Sequence, residues 1–388
     1  MKSIIEMGML IKSLIEFRAH NNELKVIPEV EYNYCKKQEL KKKDHYKIVF
    51  ITNGMNDFSG GNTSILRLGT YLHYFGHEIY YISYDNSNKT QMKKSAEVNL
   101  PGYKGIILEK SALYNQKYDI AIVTFWLSCY TLLTCQDNFD YKIYFIQDFE
   151  PFFYPVGDVH LLALNTYKFG FHMVSLGEWN KLQIESLTPQ HVDFIDFPVE
   201  TEQYKVKTRE IIIKEEIRIA LYIKLDSRRA PFLLTQQIKY LHEKLLESGY
   251  NLKVFAYGLN KLVKLSFITN LGRLKKDELI KLYGNCHFGL VASLTNISLV
   301  NYEMILSGLP VIDFADGSAP TFFTEEEMIF LDLNINDLFE KIIYYTDHQD
   351  ELNQMLVNAQ SKIINNKLTW ENSAKQFNNL LFYPKPSR

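Results

Sequence analysis

The chain contains no uninterrupted apolar stretch near the ~20 residues that a helix needs to span a bilayer, which argues against an integral helical membrane protein. It has no basic excess either: 43 Lys and Arg stand against 45 Asp and Glu, a net charge of −2. That balance excludes the electrostatic footprint expected of a nucleic-acid binder. Cysteine is scarce. Cys35, Cys129, Cys135 and Cys286 stand at no metal-ligand spacing and suggest no disulfide framework, so a reducing, cytoplasmic setting is expected. Neither a low-complexity tract nor a short-period repeat is present, and no Asp-x-Asp pair occurs. What the chain does have is aromatic mass, with 26 Tyr and 25 Phe, and 388 residues. That length exceeds the roughly 250–300 residues at which a single core stops growing, so two domains are expected.

The N-terminus, "MKSIIEMGMLIKSLIEF", is no secretory signal, because Glu6, Lys12 and Glu16 interrupt its apolar residues. Ile4, Met7, Ile11, Leu14 and Phe17 share one helical face, and lysines follow at 36, 37, 41, 42 and 43. Residues 1–44 therefore read either as a helix packed on its own domain with a solvated linker, or as a helix that docks on a partner or on the inner face of the plasma membrane. From "YKIVFITNG" onward the pattern is regular: strand, glycine-bearing loop, the helical "TSILRLGTYLHYFGH", then the strand "EIYYISY". Such β-loop-α-β units imply a parallel sheet with right-handed crossovers. A second series begins near residue 217 with "IRIALYI", after a Lys- and Glu-rich stretch at 201–216 that reads as a linker. The expected division is 1–44, an N-terminal domain over 45–205, a C-terminal domain over 206–370, and a helix and tail at 371–388 that crosses back to the N-terminal domain.

Four stretches carry candidate chemistry. In "NDFSGGNTSIL", Gly60 and Gly61 precede a helix that Asn62 or Thr63 would cap. Free N–H groups there suit an anion, although a tight βα turn needs the same glycines. In "LYIKLDSRRAPFLL", Lys224, Arg228 and Arg229 fall between a strand end and a helix begun by Pro231, well placed to neutralise a diphosphate. In "VASLTNISLVNYEMILSGLPVID", a strand ends near Ser293 and a polar loop passes Asn296 and Ser298. A helix opening at Leu299 then carries Glu303 until Gly308 and Pro310 stop it. Apolar neighbours place the Glu303 carboxylate near the buried side, where it needs a partner: a ligand hydroxyl, a cap or an arginine. Finally, "FIQDFEPFFYP" sets Asp148 and Glu150 among aromatics directly after a strand, either as a packed turn or as the edge of a site.

"GGNTSILRLGTYLHYFGHEI", the basic loop, "YEMILSGLPVI" and the late "TWENSA" together resemble the GT-B glycosyltransferases of family 4. Within them, "YFIQDFEPFFYPVG" is similar to the WsaF-type bacterial rhamnosyltransferases that build surface glycans. The resemblance covers residues 45 to about 385. It implies an α/β fold of two Rossmann-like domains facing each other across a cleft, with C-terminal helices. It also implies transfer of a sugar, rhamnose in that subgroup, from a nucleotide-sugar donor to a glycan or lipid-linked glycan acceptor, with retained configuration and no metal or other cofactor. Carried onto this chain, Lys224 and Arg229 hold the donor diphosphate and Glu303 the ribose, while Asn296, Ser298, Leu299 and Gly61 line the donor site. Lys224 stands where arginine is more frequent, which keeps the charge and loses the bidentate fork. Thr295 replaces the first glutamate of the Glu-x7-Glu motif, and Ser298 matches a serine found in the rhamnosyltransferase subgroup. Gln147, Phe149, Phe152 and Tyr154 are expected to hold the acceptor, with Asp148 or Glu150 orienting or deprotonating its hydroxyl. The rival reading is a non-catalytic GT-B subunit that binds a glycan or a partner enzyme, with Thr295 as the mark of lost chemistry.

Overall fold

The computed structural model describes residues 38, 40–199, 204, 206–259 and 266–382. The amphipathic face at Ile4–Phe17 and Cys35 lie outside them. The described residues form two compact units, each built on one parallel sheet. The first unit takes the described residues within Met1–Ser175, then Ile184–Asp193 and the chain from Phe377; the second takes Leu176–Gln183 and Phe194–Gln376. Each unit is thus assembled from separate stretches: residues 176–183 and 194–199 go with the second, and the chain from Phe377 goes with the first.

In the first unit, strands β1 (Lys47–Thr52), β2 (Glu78–Ser83), β3 (Ile106–Leu108), β4 (Tyr118–Val123), β5 (Phe139–Ile146), β6 (His172–Leu176) and β7 (Val192–Ile195) lie in the order β3-β2-β1-β4-β5-β6-β7. In the second, β8 (Glu216–Tyr222), β9 (Asn251–Tyr257), β10 (Ile268–Gly272), β11 (Phe288–Leu290), β12 (Val311–Phe314) and β13 (Ile329–Leu331) follow the order β10-β9-β8-β11-β12-β13. Both are doubly wound sheets, with the order reversing at β1/β4 and at β8/β11. Ligands of such sheets bind outside the carboxyl ends of the strands at that reversal. The central strands have both faces covered, so they read as continuous apolar runs: Ile48, Val49, Phe50 and Ile51 of β1 are fully buried.

Helices follow their expected positions closely. Helix Pro231–Glu247 opens on proline, and Lys276–Asn285 and Leu299–Leu306 fall where the periodicity put them. Gly308, at φ +84°, ends the last of these. Gly289 in β11 lets that helix approach, since a Cβ there would lie 2.3 Å from Met304 Sδ. The helix Gly60–Tyr74 starts one turn position earlier than expected, so Ser59 caps it (Oγ accepts from Asn62 N, 3.3 Å). Asn62 and Thr63 fall inside, where the Thr63 hydroxyl donates to Ser59 O. Helix Trp370–Phe382 serves both units: Gln376 bonds Asp196 in the second, while Asn378 meets His77 and Phe377 packs on Phe145 in the first. Among the described residues, no helix is long and apolar enough to cross a membrane.

Candidate functional site

At the β8/β11 reversal, the chain leaves β8 through Ile223 and Lys224 into the basic loop. Lys224 is exposed, with Nζ 5.6 Å from the centre of the Tyr222 ring. Arg228 turns back on Asp226 (Nε to Oδ1, 2.9 Å), and that guanidinium holds the Asp226 carboxyl below its ordinary range. Arg228 is thereby neutralised locally. Arg229 instead reaches across the reversal and donates to Ala292 O (3.0 Å), just past the end of β11. Ala230 then sits at φ +42°, ψ +47° directly before Pro231. A left-handed alanine preceding proline is strained, and such strain persists only where the surroundings impose it.

The loop after β11 is nearly dry: Thr295, Asn296 and Ser298 are all buried. Asn296 donates to Leu176 O (2.9 Å), and Ser298 caps helix Leu299–Leu306, accepting from Val300 N (3.4 Å). Beneath them lies a polar knot that sequence reasoning missed. Asp313, fully buried in β12, accepts from Ser293 N (3.0 Å), Phe314 N (2.8 Å) and Asn301 Nδ2 (2.7 Å). Ser318 Oγ donates to Ser293 O (2.9 Å). Burial pushes the Asp313 carboxyl upward from its ordinary pKa, against those donors. The signal available was the aspartate inside "LPVIDF", because a carboxylate in an otherwise apolar strand demands partners. Glu303, half-buried on the next helical turn, acts electrostatically on Tyr257 and Tyr283, whose hydroxyls share a 2.7 Å hydrogen bond. Burial is the main cause of the raised pKa of both tyrosines, and the Glu303 charge adds to it. Tyr257 ends β9 and packs on Tyr222, the residue under Lys224. Lys224 and Arg229 thus lie just beyond the carboxyl end of β8, and the charge of Glu303 acts on Tyr257 at the end of the neighbouring β9.

In the first unit, "FIQDFEPFFYP" divides into a packed part and an open part. The strand ends at Ile146, and Pro151 lies beyond it in the 3-10 turn Glu150–Phe153. Glu150 is 3% exposed, and its Oε2 accepts from Trp126 N and Tyr144 OH, both at 2.6 Å. It therefore caps the N-terminus of helix Trp126–Thr134, where a negative charge is favoured. Phe149 is fully buried, stacked on Tyr167 and edge-on to Phe152, so it offers no face to a sugar. Tyr154 accepts from Trp126 Nε1 (3.0 Å). Phe152 is 44% exposed, and Gln147 and Asp148 are half-buried. A Cβ on Gly61 would lie 3.6 Å from Gln147 Oε1, so the glycine pair and the Gln147 side chain face each other across the strand ends. Among the described residues, no group of three or more His, Cys, Asp and Glu is arranged to hold a metal ion.

Residues 234–379, most of them in the second unit, match the family model described as Glycosyl transferase-like. The O-antigen biosynthesis protein RfbC of Myxococcus xanthus is 28% identical over 204 residues, which are 50% of this chain and 15% of that protein. Among solved structures, Anabaena Alr3699/HepE, determined with UDP and glucose, superposes with a TM-score of 0.65 at 12% identity, covering 87% of this chain and all of that one. Sucrose-phosphate synthase of Thermosynechococcus elongatus gives 0.62 at 12% identity, over 87% of this chain and 98% of its own. These likenesses, with the two sheets described above, give the fold as GT-B.

Proposed function

We propose that this chain is a glycosyltransferase that moves a sugar from a nucleotide-sugar to a glycan acceptor in the assembly of a bacterial surface polysaccharide. The observation that supports the reading is Arg229 reaching across the β8/β11 reversal to Ala292 O, in the segment that leads into the helix carrying Glu303. Lys224 and Arg229 take up the charge of the donor diphosphate, and Glu303 accepts from the ribose hydroxyls. In the transfer, the acceptor oxygen bonds to the anomeric carbon as the bond from that carbon to the diphosphate oxygen breaks. The electron pair of the broken bond leaves with the diphosphate, whose oxygen takes the acceptor proton, and configuration is retained. The first unit holds the acceptor, with Asp148 orienting the attacking hydroxyl and Phe152 offering an exposed ring. No metal is required, because the two cationic side chains stabilise the leaving group. Rhamnose as the donor sugar rests on the resemblance of residues 144–157, and the surface-glycan setting is supported by the likeness to the O-antigen protein.

The test is calorimetric binding of UDP and of uridine to the full chain and two variants. Arg229→Ala should weaken UDP by roughly 10–100-fold while sparing uridine, since hydrogen bonds to charged phosphate contribute about 1.5–3 kcal/mol each. Glu303→Gln should weaken both ligands alike. Saturable UDP binding with no turnover of any nucleotide-sugar would favour the non-catalytic reading, to which the buried Thr295 in place of a glutamate lends support.

A further inference from the structure

A second pocket, of about 210 Å³, lies on another side of the helix that carries Glu303, and every residue lining it belongs to the second unit. Its wall is aromatic. Tyr302 stacks on Phe197 (5.7 Å between centroids, 8° between planes), and Phe322 meets Phe197 edge-on. Tyr302 is only 2% exposed, yet among the described residues its hydroxyl has no hydrogen-bond partner. That hydroxyl can therefore donate to or accept from a molecule in the pocket. The charges on the wall are unbalanced. Lys362 is neutralised by Glu327 (Nζ to Oε2, 2.7 Å), and Asp196 accepts from Gln376. Glu178, half-buried at the rim, has neither hydrogen bond nor ion pair among the described residues.

We infer that this pocket binds a small organic cation: a planar amidinium or guanidinium group, or an amine, on a short apolar body. The cation pairs with Glu178, an N–H donates to the Tyr302 hydroxyl, and the apolar body lies among Phe197 and Phe322, where ring faces also attract positive charge. An anion is disfavoured by Glu178 and Asp196. A purely apolar occupant would leave both Glu178 and the Tyr302 hydroxyl without partners. The volume lies below the ~300–1,000 Å³ of drug-sized sites, which limits the occupant to roughly amino-acid size.

Three probes of one shape and different charge test this: benzamidine, benzamide and benzoate, each titrated into the full chain by calorimetry. Benzamidine should bind with a Kd of about millimolar or tighter, benzamide at least about tenfold more weakly, and benzoate not measurably. Glu178→Gln should bring benzamidine down to the level of benzamide, and Tyr302→Phe should weaken both. Saturating UDP should leave benzamidine binding unchanged, which separates this pocket from the donor site. Folding of each variant is checked by its melting temperature. Because two independent variants report on the site, the failure of one to fold leaves the other decisive. Equal binding of benzoate, an unaltered benzamidine affinity in either folded variant, competition by UDP, or no saturation by benzamidine would each overturn the inference.

Discussion

The two sheets share one strand order, but their polar corners are built in opposite ways. In the first unit, the corner after β5 assigns neighbouring carboxylates to different tasks: Glu150 is buried and caps a helix, while Asp148 stays half-buried at the strand ends. In the second unit, the loop after β11 spends its polar groups on itself. Asn296 and Ser298 hold backbone, and Asp313 gathers three donors below them. The difference separates a corner that presents side chains from a loop that presents a shaped backbone. In the proposed transfer, Arg229 and Glu303, on flanking elements, supply the second unit's chemistry.

The largest expected effect breaks the comparison on the first-unit side. Asp148→Asn should lower turnover by roughly 10²-fold, as expected when an attacking group is no longer oriented, with donor affinity kept. Equal losses in turnover and donor affinity, measured by steady-state kinetics and calorimetry, would return Asp148 to a structural role. Glu150→Ala should act mainly on the fold. It strips a charged acceptor from Trp126 N and Tyr144 OH, a loss of about 3 kcal/mol in denaturant unfolding. Intact stability with lost turnover would instead make Glu150 a working residue.

On the second-unit side, the effect is a pH dependence. Burial raises the folded-state pKa of Asp313, so the folded chain favours its neutral form. Its contribution to stability is therefore complete below the unfolded value of about 3.9 and fades as pH rises through the folded value. Asp313→Asn should flatten that part of the stability profile, because Asn301, whose Oδ1 has no hydrogen-bond partner among the described residues, can turn to accept from the new amide. A profile identical to that of the parent chain would remove Asp313 as its source. The smallest effect sharpens the comparison: Ser298→Ala should cost about 1 kcal/mol as a lost helix cap and leave UDP binding within about twofold. A larger loss of UDP affinity than of stability would show that this serine faces the ligand.

The strand series was legible because fully buried parallel strands write themselves as unbroken apolar runs, as in "KIVFIT" and "EIRIALY". The placing of Lys224 and Arg229 in the loop after a strand, and of Glu303 on a helix stopped by Gly308, was legible through spacing. Asp148 and Glu150 could not be told apart in sequence, since they share one local context. Their difference depends on Trp126 N and Tyr144 OH, one of them distant in the chain. Phe149 and Phe152 pose the same problem, because burial of a single ring in an aromatic turn is decided by tertiary neighbours such as Tyr167. The stretch 194–199 joins the second unit through Phe197, Asp196 and Val199, and 176–183 through Leu176 O, contacts that carry no local signature.

That last arrangement bears on how the protein can be dissected. A fragment cut at the apparent linker, from residue 206 onward, would lack Phe197 over Tyr302, the Val199 N–H donated to Leu368 O, and the Asp196 partner of Gln376. It would expose Tyr302 and its aromatic neighbours as an apolar surface of the kind that drives aggregation. Chimeras that exchange donor specificity would therefore need to carry 194–199 with the second unit, as a graft, and not simply swap everything beyond the linker.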